Sequence, residues 1–581
     1  MSKPTCDPRS CQLSLSIESD FNCRILINAF KCLSGNEKAK NSTPLPASAV
    51  ATDYIETIAG YNSDFADNSM KEIDMGNDKK VLLIKQNGKF TAIGAKCSHY
   101  GAPLVMGALG EGRVRCSWHG ACFNIETGDI EDFPGLDSIP CFQVDVNDGL
   151  VTVRAKKSDL ETDKRIMPMA VKEARNGEIF VVIGGGPSAQ TCVETLRQNG
   201  FKGRILMICK ENILPYDRVK VSKNFESKPE EIRLRDQKFY DDNQIEVSLN
   251  VEATSLDPKL KEISLSSGNK LKYDKLFIAT GAKAKKPAIP GNDLKNIFTL
   301  RNLDDAHAIE SKLKPSCHVV ILGSSFIGME AAAYCSKKVS KVTIVTRSAA
   351  PLIDSFGEAI GNRIRKLFEE NNVEFVVNSG IKSFSGNNEN LETVELLGGE
   401  RLWADVCIVG IGSQMNTEFL EGSGLAINEN GSIDADLHLR TNITDVFIGG
   451  DIANAPIFTN NNEPASIGHY ALAQYHGKIA ALNMLDIKTE LKAVPYFFTL
   501  LLGKVFTFTG HGKVSEIFIE GDLDGLAFVA FYFDEHENII GMASCQPDKS
   551  VAEFAEKLSQ GYRFHKNDIE WVTENEYPKA D

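Results

Sequence analysis

Ile179-Phe-Val-Val-Ile-Gly-Gly-Gly-Pro-Ser-Ala189 runs a wholly apolar strand straight into a glycine-rich turn. Strands of parallel sheets are covered on both faces and read as such unbroken apolar runs. The turn has the spacing G-x-G-x-x-A. Gly184 makes the tight turn, Gly186 lets a pyrophosphate approach the backbone, and Ala189 lets the next helix pack against the strand. Free N–H groups at the helix start attract phosphate. A helical stretch and a second strand, Ile205 to Ile208, complete a βαβ unit. Glu211, just beyond, is the acid placed to bind a ribose, with Lys210 competing for its register.

The same texture returns about 140 residues later. His318-Val-Val-Ile-Leu322 leads into Gly323-Ser-Ser-Phe-Ile-Gly328, a helix through Cys335 and a strand at Val342 to Val345. Two such units imply two dinucleotide-binding domains. The second departs from the fingerprint at Ser325, whose Cβ stands where the second glycine belongs and crowds an approaching pyrophosphate.

Upstream, from Ala51 to Arg154, short alternating segments are punctuated by Gly, Asn and Asp, which predicts a small antiparallel β domain. It holds Cys97-Ser-His99 and Cys116-Ser-Trp-His119, with sixteen residues between the halves. A Rieske [2Fe–2S] centre needs two thiolates on one iron and two imidazoles on the other. Two loops that each give one Cys and one His meet that need, so Cys97, His99, Cys116 and His119 are the candidate ligands. A mononuclear zinc site is the competing reading, but zinc ligands usually pair like with like along the chain. Gly101, Pro103 and Gly120 suit tight loops whose N–H groups face sulfur. Cys122 and Cys141 read as packing.

Composition bounds the rest. With 581 residues and roughly 150 per domain, three or four domains are expected. A formal net charge of -14 repels phosphate backbones and argues against nucleic acid as a partner. No stretch approaches the roughly 18 apolar residues of a membrane span. The 14 cysteines are scattered, unlike a secreted disulfide framework. The first fifty residues carry Cys6, Cys11, Cys23 and Cys32 but only Arg9 and Arg24, among acids. That is no clear presequence or signal peptide. A poorly ordered tail is expected, in a cytoplasmic or mitochondrial protein.

Cys97-Ser-His-Tyr-Gly-Ala-Pro-Leu104 and Cys116-Ser-Trp-His-Gly-Ala-Cys-Phe-Asn124 resemble the loops of Rieske ferredoxins. The respiratory-chain form differs: it has a loop disulfide, where Trp118 stands here, and Ser and Tyr donors, where Ala121 and Phe123 stand. Leu214-Pro-Tyr-Asp-Arg-Val-Lys-Val-Ser-Lys223 resembles the segment that packs along FAD in ferredoxin-reductase-like and apoptosis-inducing-factor-like flavoproteins. Taken with Ile278-Ala-Thr-Gly281 and Val446-Phe-Ile-Gly-Gly-Asp451, the chain from Ala51 to about Tyr562 resembles Rieske-containing apoptosis-inducing-factor-like proteins.

That resemblance implies flavin contacts at Arg218, Lys223, Thr280, Gly281, Arg301 and Asp451. It brings His469 and Phe498 to the isoalloxazine, where the family usually has Trp for Phe498. It implies a nicotinamide site at Gly323, Gly328, Glu330, Gly410 and Gly412, with Lys223 and Glu330 as the catalytic pair. Thr346 and Arg347 replace the usual ribose acid, tilting coenzyme choice toward NADPH while leaving NADH open.

The expected architecture is multidomain. A tail, 1–50, precedes an all-β Rieske domain, 51–155, and a linker, 156–176. Two Rossmann-like α/β domains follow: an FAD domain in two parts, 177–310 and 436–490, around an NAD(P) domain, 311–435. A C-terminal α+β domain, 491–581, ends the chain. The expected activity is transfer of electrons from NAD(P)H through FAD to the cluster, and out through a His99 and His119 edge to an unidentified one-electron acceptor. A homodimer is admitted. The rival is an apoptosis-related signalling or interaction protein that keeps its cofactors as a redox-sensitive fold.

Overall fold

The computed structural model describes residues 53–545 and 549–569. The expected tail, 1–50, lies outside the described residues. In the first domain a six-stranded antiparallel sheet runs in the order Tyr54–Tyr61, Leu150–Lys156, Cys141–Asn147, Lys89–Gly94, Lys79–Gln86, Ser69–Gly76. Side chains alternate across a strand. Val81 and Leu83 therefore enter one apolar core while Leu82 and Ile84 enter another beneath the Cys-His loops. This is why Val81 to Ile84 reads as unbroken hydrophobe. A smaller sheet, Ala108–Leu109, Arg113–Arg115, Cys122–Asn124 and Ile130–Asp132, carries the second loop. Cys122 is buried as expected, but Cys141 is exposed, so packing does not account for it.

The stretch 156–176 is less free than a linker. Ser138 and Arg165 exchange backbone hydrogen bonds of 3.0 and 2.8 Å, and Ala170 and Glu173 donate to carbonyls of the next domain.

The FAD-type domain has a parallel sheet in the order Ile245–Ser248, Arg204–Ile208, Ile179–Ile183, Lys275–Ile278, Val446–Ile448. Helix α1, Pro187–Gln198, follows the glycine turn. The NAD-type sheet is also parallel: Ile297–Thr299, Val406–Val409, His318–Leu322, Lys341–Val345, Val373–Val376, with α2, Phe326–Cys335, after its turn. Two expected boundaries shift. Ile297–Thr299 pairs in the NAD-type sheet, so the first crossing precedes residue 310. Leu420, Leu425 and Ile433 pack into the FAD-type core, so the return precedes residue 436. A two-stranded ribbon, Ala282–Ala284 with Ser413–Met415, joins the two domains.

Helix α3, Tyr470–Met484, packs on α1. Gly477 is needed there, because a Cβ would stand 2.1 Å from the Ser188 carbonyl oxygen. The C-terminal domain is a five-stranded antiparallel sheet with α4, Ser550–Ser559. Its first strand, Tyr496–Leu501, lies at the sheet edge and meets the second Cys-His loop.

Candidate functional site

The two Cys-His loops are built alike. The Cys97 N–H donates to Ala102 O at 2.8 Å and Gly101 N–H returns to Cys97 O at 2.9 Å; Cys116, Ala121 and Gly120 repeat this at 2.8 and 3.0 Å. Gly101 and Gly120 have φ of 78° and 83°, a region that favours glycine. Each turn aims backbone N–H groups at its own sulfur: His99 and Tyr100 at Cys97, Trp118 and His119 at Cys116. The thiols pair with one another, and the imidazoles face each other with Nδ1 atoms 3.3 Å apart. Two nitrogens about 2.1 Å from one tetrahedral metal stand about 3.4 Å apart. Two paired thiols and two paired imidazoles fit the ligand set of a two-iron Rieske cluster.

Ala121 and Phe123 are fully buried and offer no side-chain donor. Donors to cluster sulfur stabilise the electron-rich reduced state. The cluster potential is therefore expected near the low end of the Rieske range, about -150 mV, and Ala121→Ser with Phe123→Tyr should raise it. Voltammetry of the protein checks this; a wild-type value above about +150 mV, in the upper half of that range, overturns the ferredoxin-like assignment.

The expected exit edge is only half exposed. His119 is buried, with its ring centroid 3.7 Å from that of Phe498, while His99 is half-buried and stacks on Tyr100 at 3.8 Å. Phe498 thus touches a cluster loop. It also lies 5.7 Å from the Lys223 ammonium. The Tyr496 hydroxyl donates to Ser117 O at 2.9 Å, and a Cβ on Gly120 would stand 2.7 Å from the Tyr496 ring. A buried ionic quartet closes the other side. Arg115 donates to Asp132 at 2.6 Å, to Glu556 of α4 at 3.0 Å and to the Gly120 carbonyl at 2.9 Å, and Arg113 donates to Glu556 at 2.7 Å. Gln474 of α3 exchanges hydrogen bonds with the Gly135 backbone.

In the flavin half, Gly184 has φ 136°, and a Cβ there would stand 2.2 Å from Ala279 O. Gly186 caps α1 with open space above it, and Ala189 is fully buried beneath. That is a cradle a pyrophosphate fits and a side chain would fill. Glu211, Tyr216 and Arg218 form one network: Arg218 pairs with Glu211, and the Tyr216 hydroxyl bonds Glu211 at 2.8 Å. Arg301 pairs with Asp451 at 2.7 Å beside Gly281. The Thr280 hydroxyl donates instead to Asn416 O at 2.7 Å, across the domain crossing. His469 caps α3, and burial pushes its imidazole down to about 4.

Lys223 and Glu330 meet at 3.0 Å. Glu330 is buried on α2 and also accepts from Ser222 and, at 2.8 Å, from Thr499. One carboxylate thus gathers three domains. In its turn Gly323 has φ 104°, and Cβ atoms on Gly323 and Gly328 would stand 2.3 and 2.2 Å from the carbonyl oxygens of Gly410 and Gly323. Gly412, past the strand end, has φ 97°. Ser325 is exposed at the start of α2, and its hydroxyl donates to Gly410 O at 3.2 Å. Thr346 turns inward to Ser324, 2.8 Å away, so only exposed Arg347 is left to meet a 2′-phosphate. Ser325→Gly should tighten NAD(P)H binding a few-fold in a titration; unchanged or weaker binding would mean that the loop has already adapted to the serine. Arg347→Ala should weaken NADPH more than NADH, and equal losses remove the tilt toward NADPH.

Sequence reasoning missed Tyr496, Thr499, Ser222, Gln474 and Glu556, whose partners lie about 100 to 440 residues away.

Comparison with known proteins places this geometry. Residues 179–477 match the pyridine nucleotide-disulphide oxidoreductase family and residues 56–143 the Rieske [2Fe–2S] domain. The chain is 38% identical to human apoptosis-inducing factor 3 over 91% of its length and 88% of that protein's. It is 31% identical to rubredoxin-NAD(+) reductase of Pseudomonas putida over 58% of its length and 87% of the reductase's. A solved ferredoxin reductase from Rhodopseudomonas palustris superposes with a TM-score of 0.64, covering 68% of this chain and 97% of that one at 23% identity. Fold and site thus define an FAD-dependent NAD(P)H oxidoreductase with a Rieske [2Fe–2S] domain. The chain belongs to the Rieske-containing, apoptosis-inducing-factor-like members of the pyridine nucleotide-disulphide oxidoreductase family.

Proposed function

We propose that the chain carries electrons from NAD(P)H to a one-electron acceptor, with the flavin site feeding the Rieske centre in the same molecule. The groups it binds supply the redox chemistry, flavin splitting an electron pair and the cluster taking single electrons, while the protein positions them. The observation that carries this reading is the contact of His119 with Phe498, itself beside the Lys223–Glu330 pair. It brings a cluster ligand to the residues expected at the flavin and nicotinamide.

Each group of residues has a distinct task. Cys97, Cys116, His99 and His119 hold the cluster, with loop N–H groups around the sulfurs. Gly184, Gly186 and Ala189 seat one dinucleotide; Glu211 and Arg218 line its path, with Arg301 and Asp451 opposite Gly281. Lys223 is held by Glu330 and the Val219 carbonyl, so its ammonium is fixed beside Phe498 and would be available as a donor to a bound flavin. Gly323, Gly328, Gly410 and Gly412 leave room for the nicotinamide dinucleotide. Tyr496 and Phe498 cover His119 and exclude water from that side.

NADH or NADPH added anaerobically to the full protein tests this. Flavin bleaching followed by the EPR signal of a reduced Rieske centre is expected. Bleaching with no cluster signal overturns the proposed order. No bleaching with either nucleotide favours the rival signalling reading.

A further inference from the structure

Beside the first Cys-His loop lies a small recess of about 120 Å³, open to solvent. One wall is the stacked pair His99 and Tyr100; the facing wall comes from the FAD-type domain.

The lining is cationic. Lys164, Lys220, Arg233 and Arg235 face it, against two carboxylates, Asp137 and Asp217. Both acids are engaged, Asp137 by Arg235 at 2.7 Å and Asp217 by the Tyr100 hydroxyl. Lys220 lies 5.4 Å from the Tyr100 ring. Neither Lys220 nor Arg233 forms an ion pair with a carboxylate among the described residues. On a chain of net charge -14, such a spot focuses anions that the surrounding surface repels. A second observation points to a ligand. The Tyr470 hydroxyl on this lining is buried and has no hydrogen-bond partner among the described residues. Buried polar groups are rarely left so, and an anion accepts from a hydroxyl.

Location completes the case. His119 is covered by Phe498, so of the two imidazoles His99 is the one that meets an open space. We propose that this recess binds a small, anionic, one-electron acceptor at the His99–Tyr100 edge. The inference rests on the electron-transfer function proposed above and names its acceptor class. The acceptor gains one electron, the NAD(P)H-reduced protein loses one, and no atom or proton is exchanged.

Two probes of like shape test it on the full, cofactor-loaded chain. Hexacyanocobaltate(III), a redox-inert trianion, is titrated by calorimetry. Hexacyanoferrate(III), which becomes hexacyanoferrate(II), serves as acceptor. Saturable binding is expected, weakened by salt. Lys164→Glu with Arg233→Glu should weaken it by about tenfold or more, equivalent to about 1.4 kcal/mol. The inert trianion should compete with hexacyanoferrate(III) but leave reduction of uncharged 1,4-benzoquinone unaffected. The variant should keep the wild-type cluster EPR signal on adding NAD(P)H. Absence of saturable binding, equal affinity in the variant, or inhibition that does not compete overturns the site. If NAD(P)H never reduces the cluster, the function above fails, while the calorimetry still decides whether the recess binds anions.

Discussion

Cys116→Ser and His119→Ala are each expected to abolish the Rieske absorbance and EPR signal while leaving FAD bound in full. Each loop gives one thiol and one imidazole, so losing either leaves an iron with one protein ligand in place of two. The loss should stay local. The cluster loops pack into their own core, built of Leu82, Ile93, Leu104, Val114 and Phe123, whereas the dinucleotide cradle at Gly184 and Gly186 rests on the FAD-type sheet. Cys122→Ser is the control. Its thiol is equally buried, and burial pushes its pKa up, but it faces Glu556 and not the other sulfurs. It should keep the signal. Absorbance, EPR and flavin released by denaturant, measured on one preparation, decide the matter. If both ligand variants keep the signal, the ligand assignment is wrong. If flavin leaves with the cluster, the two halves are not independent.

Much of this was legible in the sequence, and for local reasons. A strand running into G-x-G-x-x-A carries its own geometry: Gly184 needs its positive φ, and Ala189 must be small because it is fully buried. The C-x-H and C-x2-H loops are likewise closed by hydrogen bonds within five residues. What stayed hidden is what long-range contact decides. Phe498 is expected at the flavin, but nothing local in the sequence announces its contact with His119. His119 was expected at an exposed edge, but Tyr496 and Phe498, almost 380 residues away, cover its loop. The domain boundaries near 310 and 436 moved for the same reason. Ile297–Thr299 joins a sheet whose next strand, Val406–Val409, lies a hundred residues on, and no local pattern names that partner. The one available clue to the docking was Arg113-Val-Arg115, two cations flanking a buried valine on a strand whose neighbours are core.

Glu556→Ala is expected to cost about 3–5 kcal/mol, the range for removing one partner of a buried ion pair. Glu556 is 2% exposed and Arg115 2% exposed, so neither has water to fall back on. Without the carboxylate, Arg115 keeps Asp132 and the Gly120 carbonyl but leaves its Nε unsatisfied, and Arg113 loses its shortest carboxylate partner. Because Arg115 also holds Gly120, the loss should reach the second cluster loop. The EPR line shape should broaden while the cluster stays bound. The quartet also sets an acid limit. Burial works to raise the carboxyl groups of Asp132 and Glu556, but the guanidinium groups of Arg115 and Arg113 outweigh it and hold both below their ordinary values. A depressed native pKa gives stability that is complete above the unfolded values, near 3.9 and 4.3. That stability is lost as pH falls through the lower native values. Wild-type stability should therefore drop on acidification below about pH 4, and Glu556→Gln should lose part of that slope. Urea unfolding at pH 7 and at acid pH, followed by tryptophan fluorescence and the cluster signal, measures both effects. A Glu556→Ala protein within about 1 kcal/mol of wild type, as for a surface pair, would mean that Tyr496, Phe498 and Gln474 hold the domain in place without the quartet.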